Sequence, residues 1–381
     1  MKRVVQIGPY PRLSGCIRGG VEASVYGLSQ EQSLIVEVHV FDFPRVDGVN
    51  CVEYDKKVIV HRFRNVGKKQ MLVALQVKAI VNEILALRPD VCHIHGTGLF
   101  SWLIYRKLIK KDIHVIVTIH GLILVEKRNA LKKGFSAIKA LQYLYQGWVE
   151  RKFISQISVA IVDTEYVRKK VNLYHVRKKP LMCVIPQGIK ETFFSIHCSK
   201  NSTTILSVGA IGERKGHLLT LKAFEQLRRG GVRARLVIAG VVSNYAYYNK
   251  LREVAFNSEF KEDIVLYVNV SDMELMELYK SSHVFVLHSE EESQGIVFAE
   301  AMATGMPVVS TTVGGIPYVV ENRVTGLLSE FGNVETFTNH MALLMKDFQL
   351  WQMLSDNAIR HANSYHWESI CKRVLDLYDK S

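Results

Sequence analysis

Short β-branched runs that stop at a glycine or a loop recur along this chain, and they alternate with amphipathic helical patterns. Arg3–Ile7 ends at Gly8, and similar runs follow at Ile35–Phe41, Val58–Phe63, Val91–His95, Ile113–Ile119 and Val159–Asp163. Met71–Leu87 has the 3.6-residue apolar period of a helix. Strands and helices in alternation predict an α/β fold, in which helices cover both faces of a parallel sheet.

The same alternation begins again after Pro186-Gln187-Gly188. The second series of strand-like runs comprises Thr204–Val208, Ala234–Ile238, Ile264–Val268, Val284–His288 and Pro307–Ser310, with helical patterns at Lys215–Arg229 and Asp272–Ser281. The 381 residues exceed the roughly 100–200 that one domain usually holds. We therefore predict three segments: residues 1–190, residues 191–362, and a terminal segment, 363–381, that contains an amphipathic helix.

The formal net charge of +13 comes from the first half of the chain. Residues 1–200 hold 32 Lys and Arg against 15 Asp and Glu, a net charge of +17, whereas residues 201–381 hold 17 against 21. A strongly basic half predicts an anionic partner. A membrane surface, a phosphorylated acceptor and nucleic acid all fit that charge.

The six cysteines are scattered, with no Cys-x-x-Cys and no Cys/His cluster, which argues against a disulfide framework and against structural zinc. The apolar stretch at the N-terminus is too short for a signal sequence, and no run approaches the roughly 18–20 apolar residues of a membrane span. We expect a cytoplasmic protein that, where it meets lipid, is peripheral on the inner face of the plasma membrane.

The densest group of candidate functional residues follows the run Val284–His288. A helix is predicted from Gly295 to about Thr304, with Glu292 in the loop before it and Glu300 in its second turn. The free amides of a helix N-terminus bind phosphate, here those of Gly295, Ile296 and Val297. Two carboxylates beside them accept hydrogen bonds from hydroxyl groups, so the pattern favours a nucleotide sugar. The alternative is a solvated acidic loop.

The segment from Glu292 to Val309 resembles glycosyltransferase family 4 and its GT-B relatives. In that family a glutamate precedes a second glutamate by eight positions, and Ala-Met-Ala-x-Gly-x-Pro-Val-Val follows, as it does here from Ala301. The resemblance implies a GT-B fold, with two Rossmann-like doubly wound domains facing across a cleft and a C-terminal helix that crosses back to the first domain. It also implies an acceptor-side first domain, a donor-side second domain and a retaining reaction.

Other motifs extend this resemblance over almost the whole chain. They are the Gly-Gly loop Arg18–Glu22, the strand-end segment Thr118–Gly121, the interdomain segment Ile185–Ile189, and the loops Gly314–Pro317 and Asn322–Leu328. Lys215 matches the lysine of the family's phosphate loop, but Ala210 stands where the family has arginine. Asn269 stands where the family more often has glycine. We expect Arg214 to supply the missing guanidinium group.

These motifs give three groups of candidate site residues. The catalytic candidates are His120, Glu292 and Lys215. The donor-binding candidates are Gly19, Gly20, Arg214, Lys215, Glu292, Gly295, Ile296, Val297 and Glu300. On the acceptor side we expect Glu22 and His95, with His93 packed inside. His120 would contact the donor sugar or move a proton, and the alternative is a histidine that holds its loop.

The predicted reaction moves a hexosyl residue from a UDP- or GDP-sugar to a hydroxyl of a lipid-linked or growing polysaccharide, of capsule, O-antigen or exopolysaccharide type. Retention by double displacement needs a carboxylate nucleophile. The sequence identifies none, so we expect a front-face reaction in which Lys215 and Arg214 stabilise the departing diphosphate. No cofactor is expected, and the absence of Asp-x-Asp predicts that no metal is required.

Basic and aromatic residues alternate along residues 126–153, a pattern typical of a surface that meets anionic lipid. The alternative is an ordinary helix with one buried face and one solvated basic face. Two other functions stay open: a non-catalytic nucleotide-sugar-binding protein of the same fold, and a nucleic-acid-binding protein. Only charge suggests the second of these and no reading motif supports it, so no nucleic acid partner is expected.

Overall fold

The chain folds into two α/β units, each built around its own sheet. This computed structural model describes residues 2–12, 17, 19–43, 50–64, 70–123, 137–174, 176 and 179–380. The first unit comprises Met1–Gly188 together with Trp367–Ser381, and the second comprises Ile189–His366. The α/β prediction, with parallel sheets in both halves, is confirmed.

The first unit contains an eight-stranded sheet. Its strands are β1 (Arg3–Ile7), β2 (Glu37–Phe41), β3 (Cys51–Asp55), β4 (Val58–Arg62), β5 (Val91–His95), β6 (Val115–Ile119), β7 (Val159–Val162) and β8 (Leu181–Val184). Their order is β3-β4-β2-β1-β5-β6-β7-β8. Among the described strands of this sheet, only β3 pairs antiparallel, and it lies at the edge. The sequence did not predict β3, because its alternation of half-buried and exposed residues lacks the apolar run of a central strand.

Among the described residues before 188, the first unit has five helices. They are α1 (Gly20–Gln32), α2 (Gln70–Ala86), α3 (Leu99–Leu108), α4 (Ala137–Ile154) and α5 (Glu165–Asn172). The apolar faces of α2 to α5 pack on the sheet around Val5, Ile94 and Val117.

The second unit contains six parallel strands. They are β9 (Thr204–Val208), β10 (Arg235–Gly240), β11 (Ile264–Val268), β12 (Val284–Leu287), β13 (Val308–Thr311) and β14 (Gly326–Ser329), in the order β11-β10-β9-β12-β13-β14. The helices are α6 (His217–Arg229), α7 (Tyr245–Phe256), α8 (Asp272–Ser281), α9 (Ile296–Ala303), α10 (Val334–Lys346) and α11 (Phe348–Ala362). In both units the first strand lies between the second and a later one, so the direction of winding reverses beside it. Open α/β sheets bind ligands at such a point, beyond the carboxyl ends of the strands.

Several predicted boundaries differ from the observed ones, and two of the differences have a clear physical reason. The helix expected from Lys215 begins at His217. Gly216 has φ +64°, and this left-handed residue separates the helix from a short 3₁₀ turn at Glu213–Lys215. The strand expected from Ile35 begins at Glu37, because Ile35 and Val36 still bond back to the carbonyl of Gln32.

The last helix, α12 (Trp367–Lys380), belongs to the first unit and packs on α1. The buried residues Ile370, Val374 and Tyr378 join the core that Val4 and Val25 form on that side of the sheet. Trp367 lies so close to Gly27 that a Cβ there would come within 2.2 Å of the indole ring. Because the indole fills this space, α1 can approach α12 this closely only with a glycine at position 27.

Gly27→Ala is expected to destabilise the first unit, although alanine is the better helix former by about 1 kcal/mol. The added methyl group overlaps Trp367, and overpacking of this kind costs typically about 1–3 kcal/mol. Urea unfolding of the purified protein measures the change. Gly98→Ala is the matched control, since a Cβ at Gly98 meets nothing within 4 Å. Equal stability of the two variants would contradict the packing argument.

Candidate active site

The strongest candidate site lies at the reversal of winding in the second unit. Strands β9 and β12 are neighbours there, and the loops after them carry Lys215 and Glu292. A Cβ at Gly216 would come within 2.0 Å of the carbonyl oxygen of His288, so the two loops touch backbone to backbone. The fold therefore brings together two residues that are far apart in the sequence.

Lys215 and Glu292 form a buried ion pair. The Lys215 ammonium donates to Oε1 of Glu292, and the side chains are only 11% and 5% exposed. A second cation adjoins, because Nη1 of Arg214 lies 3.5 Å from Oε2 of Glu292 and donates to the carbonyl oxygen of Glu291 at 3.1 Å. The Ser289 hydroxyl donates to Oε1 at 3.3 Å. Both cations predicted for the phosphate loop thus converge on one carboxylate.

The charge state of Glu292 follows from this environment. Burial raises the pKa of its carboxyl, but the charges of Lys215 and Arg214 and the hydrogen bonds from Lys215 and Ser289 together lower it below the ordinary value. Glu292 is therefore ionised at neutral pH. Removing either charge of a buried pair leaves the other uncompensated, which is strongly destabilising.

The backbone around Glu292 is fixed by the loop after β13. The amide of Gly315 donates to the carbonyl oxygen of Glu292 at 2.7 Å, and a Cβ at Gly314 would come within 2.1 Å of that oxygen. Only glycine allows this approach, and Gly314 also has φ +59°. The Gly314-Gly315 motif therefore acts on the position of Glu292, a role that the sequence alone did not reveal.

The helix predicted from Gly295 is present as α9, with Gly295 as its N-cap at φ +79°. The first helical residues are Ile296 and Val297, so their amides lie at the N-terminal end of the helix dipole, as the phosphate prediction requires. Glu292 precedes this end and Glu300 follows it by little more than one turn. The arrangement places acceptors of hydroxyl hydrogen bonds beside donors suited to an anion.

Glu300 lies on α9, where Oε2 accepts a hydrogen bond from the hydroxyl of Tyr279 at 3.0 Å. Burial raises the pKa of Glu300 to about 7, and the Tyr279 hydrogen bond and the Lys190 charge only partly offset the rise. Glu300 is thus close to its titration midpoint at neutral pH. A ligand hydroxyl that donates to it would favour the carboxylate form.

Two departures from the family pattern have structural explanations. Asn269 has φ +57°, a left-handed conformation that asparagine tolerates better than most residues, so it can occupy a glycine position. Ala210 is exposed and carries no charge, and Arg214 directs its guanidinium group to Glu292 from four positions further along.

In the first unit the candidate histidines form a buried group at the ends of β5 and β6. Nδ1 of His95 lies 3.0 Å from Nε2 of His120, and Nε2 of His95 lies 2.7 Å from Oε1 of Gln6. His93 bonds to the hydroxyls of Tyr378 at 2.7 Å and Thr118 at 2.6 Å. His93 is packed inside as expected, but His95, which was expected on the acceptor side, is buried as well. Both are 1% exposed, since residues two apart share one face of a strand and α12 covers that face.

These contacts fix the tautomers. The Gln6 oxygen can only accept, so His95 donates from Nε2, and burial holds the pKa of His95 well below its ordinary value. Neutral His95 then accepts at Nδ1 from Nε2 of His120. On its other side, Nδ1 of His120 lies 2.8 Å from the amide nitrogen of Gln187 and 3.3 Å from Asp163. Both ring nitrogens of His120 therefore have protein partners, as a histidine that holds its loop would have.

Three buried residues of this region were not singled out from the sequence. Gln187 donates to Asp163 at 2.7 Å and also contacts His120 at 2.8 Å. Glu150 on α4 is fully buried and accepts from the Thr97 hydroxyl and the amide of Ile123, both at 3.0 Å. The sequence offered one signal for Glu150, which is the single acidic residue within the basic segment 137–154.

The Gly-Gly motif opens the first helix of this unit. Gly19 is the N-cap of α1, Gly20 is its first residue, and Glu22 is a buried acid in its first turn. This places two glycine amides at the carboxyl end of the sheet's reversal point, where the resemblance expects them. Arg18 lies outside the described residues.

Part of the predicted lipid-facing segment is α4; residues 124–136 lie outside the described part of the chain. Leu141, Leu144, Tyr145 and Trp148 recur along one face of α4 and are 50–69% exposed. Trp148 packs edge-on to Trp102 of α3, over which the guanidinium group of Arg106 lies at 5.5 Å. Exposed cations border this face on both helices: Arg106, Lys107, Arg151 and Lys152. We call it the α4 face.

Comparison with known proteins identifies the family. Residues 18–193 match the family model described as Glycosyltransferase Family 4, and residues 189–361 match the model described as Glycosyl transferases group 1. The chain belongs to glycosyltransferase family 4. It is a glycosyltransferase with the GT-B fold.

Two relatives illustrate the sequence similarity of this glycosyltransferase. The D-inositol 3-phosphate glycosyltransferase of Corynebacterium urealyticum is 26% identical over 87% of this chain and 81% of its own length. The enzyme of the same name from Segniliparus rotundus is 23% identical, and the match covers 77% of this chain and 66% of that protein.

Solved structures show the same fold along the whole chain. Sucrose-phosphate synthase from Thermosynechococcus elongatus has a TM-score of 0.83 at 17% identity, covering 100% of this chain and 99% of its own. Anabaena HepE in complex with UDP-glucose has a TM-score of 0.77 at 16% identity, covering 100% of both chains. At such identities the likeness concerns the fold alone.

The described residues include neither a cluster suited to a metal ion nor a helix suited to spanning a membrane. No group of three or more His, Cys, Asp or Glu side chains among them is arranged to hold a metal ion. None of the described helices has the length and apolarity that crossing a bilayer requires. That the glycosyltransferase needs no metal stays a prediction.

Glu300→Gln is expected to remove a pH dependence of stability. The pKa of Glu300 is about 7 in the folded state, against an ordinary value of 4.5, so protonated Glu300 stabilises the folded protein. This contribution to the free energy of unfolding is complete below about pH 4.5 and is lost as pH rises through about 7. Relative to the variant, the wild-type free energy of unfolding should fall by on the order of 2 kcal/mol between about pH 5 and pH 8. Urea unfolding at each pH measures this, with Glu335→Gln, an exposed acid, as control. Parallel pH profiles of wild type and Glu300→Gln would disprove the assignment.

Proposed function

We propose that this glycosyltransferase transfers a hexosyl residue, with retention of configuration, from a UDP- or GDP-sugar to a hydroxyl of a lipid-linked or growing polysaccharide acceptor. The second unit holds the donor, and the first unit receives the acceptor. The observation that carries the proposal is the convergence of Lys215, Arg214, Glu292 and the N-terminal end of α9 at one point. Two cations and helix amides suit a diphosphate, and two carboxylates suit the hydroxyls at its ends.

In this proposal Lys215 and Arg214 stabilise the negative charge that grows on the diphosphate as the sugar departs. The amides of Ile296 and Val297 assist them from the N-terminus of α9. Glu292 accepts hydrogen bonds from the hexose and Glu300 from the ribose. The departing phosphate oxygen takes the proton of the acceptor hydroxyl, so no enzyme carboxylate attacks the sugar. His120, whose two nitrogens are engaged by protein groups, positions the loop after β6.

Lys215→Met should lower kcat for sugar transfer by roughly 10²–10³-fold, the usual cost of removing one group that stabilises charge in a transition state. The donor is first chosen by thermal-shift screening against UDP-, GDP- and ADP-sugars, and turnover is followed as release of the nucleoside diphosphate. Lys222→Met, on the exposed side of α6, is the control and should keep wild-type turnover. Binding of a nucleotide sugar with neither transfer nor hydrolysis would favour the non-catalytic alternative.

The nature of the acceptor is proposed from the α4 face. An exposed apolar stripe bordered by cations has the composition of a surface that lies in the headgroup region of an anionic bilayer. That position would bring a polyprenyl-linked acceptor to the first unit. The relatives named for inositol 3-phosphate keep a soluble phosphorylated acceptor as the second candidate, since the basic first half suits either.

Leu144→Ser combined with Trp148→Ser should weaken binding to vesicles of two thirds phosphatidylcholine and one third phosphatidylglycerol by at least about fivefold, because both side chains lose apolar area in the bilayer. Cosedimentation measures the binding, and added salt should weaken it further. Tyr245→Ser removes a more exposed aromatic residue from the second unit and should change nothing. Wild-type protein that ignores these vesicles, but glycosylates an inositol phosphate, would select the soluble acceptor.

A further inference from the structure

The ammonium group of Lys215 has two competing anionic partners if the donor site is where we propose. In this structure it pairs with Glu292, whose side chain is 5% exposed. The proposed reaction requires the same ammonium group at the diphosphate. Arg214 has the same conflict, since its guanidinium group lies 3.5 Å from Glu292.

The two partners in this ion pair differ in freedom to move. Glu292 is anchored through its backbone by the bond from Gly315 at 2.7 Å and by the tight contact with Gly314. Lys215 has a long side chain whose stem runs over Gly209, at 3.5–3.6 Å from where a Cβ would stand. Because Gly209 has no side chain, the lysine stem has room on that side. An exchange of partners would therefore move Lys215 and leave Glu292 in place.

Such an exchange leaves the buried carboxylate in need of new hydrogen-bond donors. A nucleotide sugar brings them, because its hexose hydroxyls donate to Glu292 while its diphosphate takes Lys215. A nucleoside diphosphate keeps the ribose hydroxyls for Glu300 but brings no hydroxyl donor to Glu292, so it leaves Glu292 buried beside the diphosphate charge with a weakened cation partner. Burying an uncompensated carboxylate is costly, so the spent nucleotide binds less well than its contacts alone would allow.

We propose that Glu292 is a specificity-determining residue that makes the site prefer the sugar-bearing donor over the nucleoside diphosphate product. This inference rests on the proposed function and adds a discrimination that a simple diphosphate site lacks. After transfer, the ion pair with Lys215 forms again and helps to expel the product.

The test compares two ligands on two proteins by isothermal titration calorimetry without acceptor. The ligands are UDP and UDP-glucose, or GDP and GDP-mannose where screening selects guanine. Glu292→Gln should bind the nucleoside diphosphate at least about tenfold more tightly than wild type, and the nucleotide sugar no more tightly. Most substitutions in a binding site weaken every ligand, so a gain confined to the product is diagnostic. An unchanged or weaker affinity of Glu292→Gln for the nucleoside diphosphate would overturn the proposal.

Two further variants keep the test decisive. Glu292→Asp retains the charge but shortens its reach to Lys215, and it should give a smaller gain in nucleoside diphosphate affinity. Lys215→Met in the Glu292→Gln background should abolish the gain, because the released ammonium group is its source. Glu335→Gln controls for the change in net charge and should bind both ligands as wild type does. Wild-type protein that binds neither ligand would instead refute the proposed function.

Discussion

A carboxylate buried beyond the end of a parallel sheet requires a compensating positive charge, and the candidate site of this glycosyltransferase is organised around that requirement. Glu292 receives the charge from Lys215 and, at longer range, from Arg214. The loop after β9 therefore faces the loop after β12, and the glycines after β13 press against the same residue from the other side. Three loops at the carboxyl ends of three strands are fixed relative to one another by a single side chain and its backbone.

In the first unit, the buried histidines are uncharged and are held by hydrogen bonds instead of ion pairs. Burial lowers the pKa of His93 to about 3 and holds that of His95 well below its ordinary value, so neither imidazole carries charge near neutral pH. The Gln6 oxygen makes Nε2 of His95 the donor, and the hydrogen bonds then run from Gln6 through His95 to His120. Tyr378 of α12 contributes a hydroxyl to this interior, so the last helix completes the polar core of the unit as well as covering its sheet.

Much of the fold and part of the candidate site were predictable, for physical reasons that differ between elements. Central parallel strands such as Val91–His95 must be apolar on both faces, so they appear as continuous runs in the sequence. The edge strand Cys51–Asp55 pairs antiparallel and is half exposed, so it left no such run. The helix start at Gly295 was visible because glycine and the following apolar run mark it. The start of α6 was misplaced because a left-handed Gly216 interrupts an otherwise helical pattern.

The sequence by itself determined the alternation of strands and helices, the restart near residue 188, and the spacing that puts Glu292 before a helix and Glu300 within it. These are local properties, set by side-chain periodicity and by backbone preferences of a few neighbouring residues. Only the tertiary structure decided that Glu292 pairs with Lys215, that Gln187 reaches His120 and Asp163, and that Glu150 joins the loops after β5 and β6. Such partners lie on separate elements, and their contact depends on strand order and loop packing, which no local pattern in the chain records.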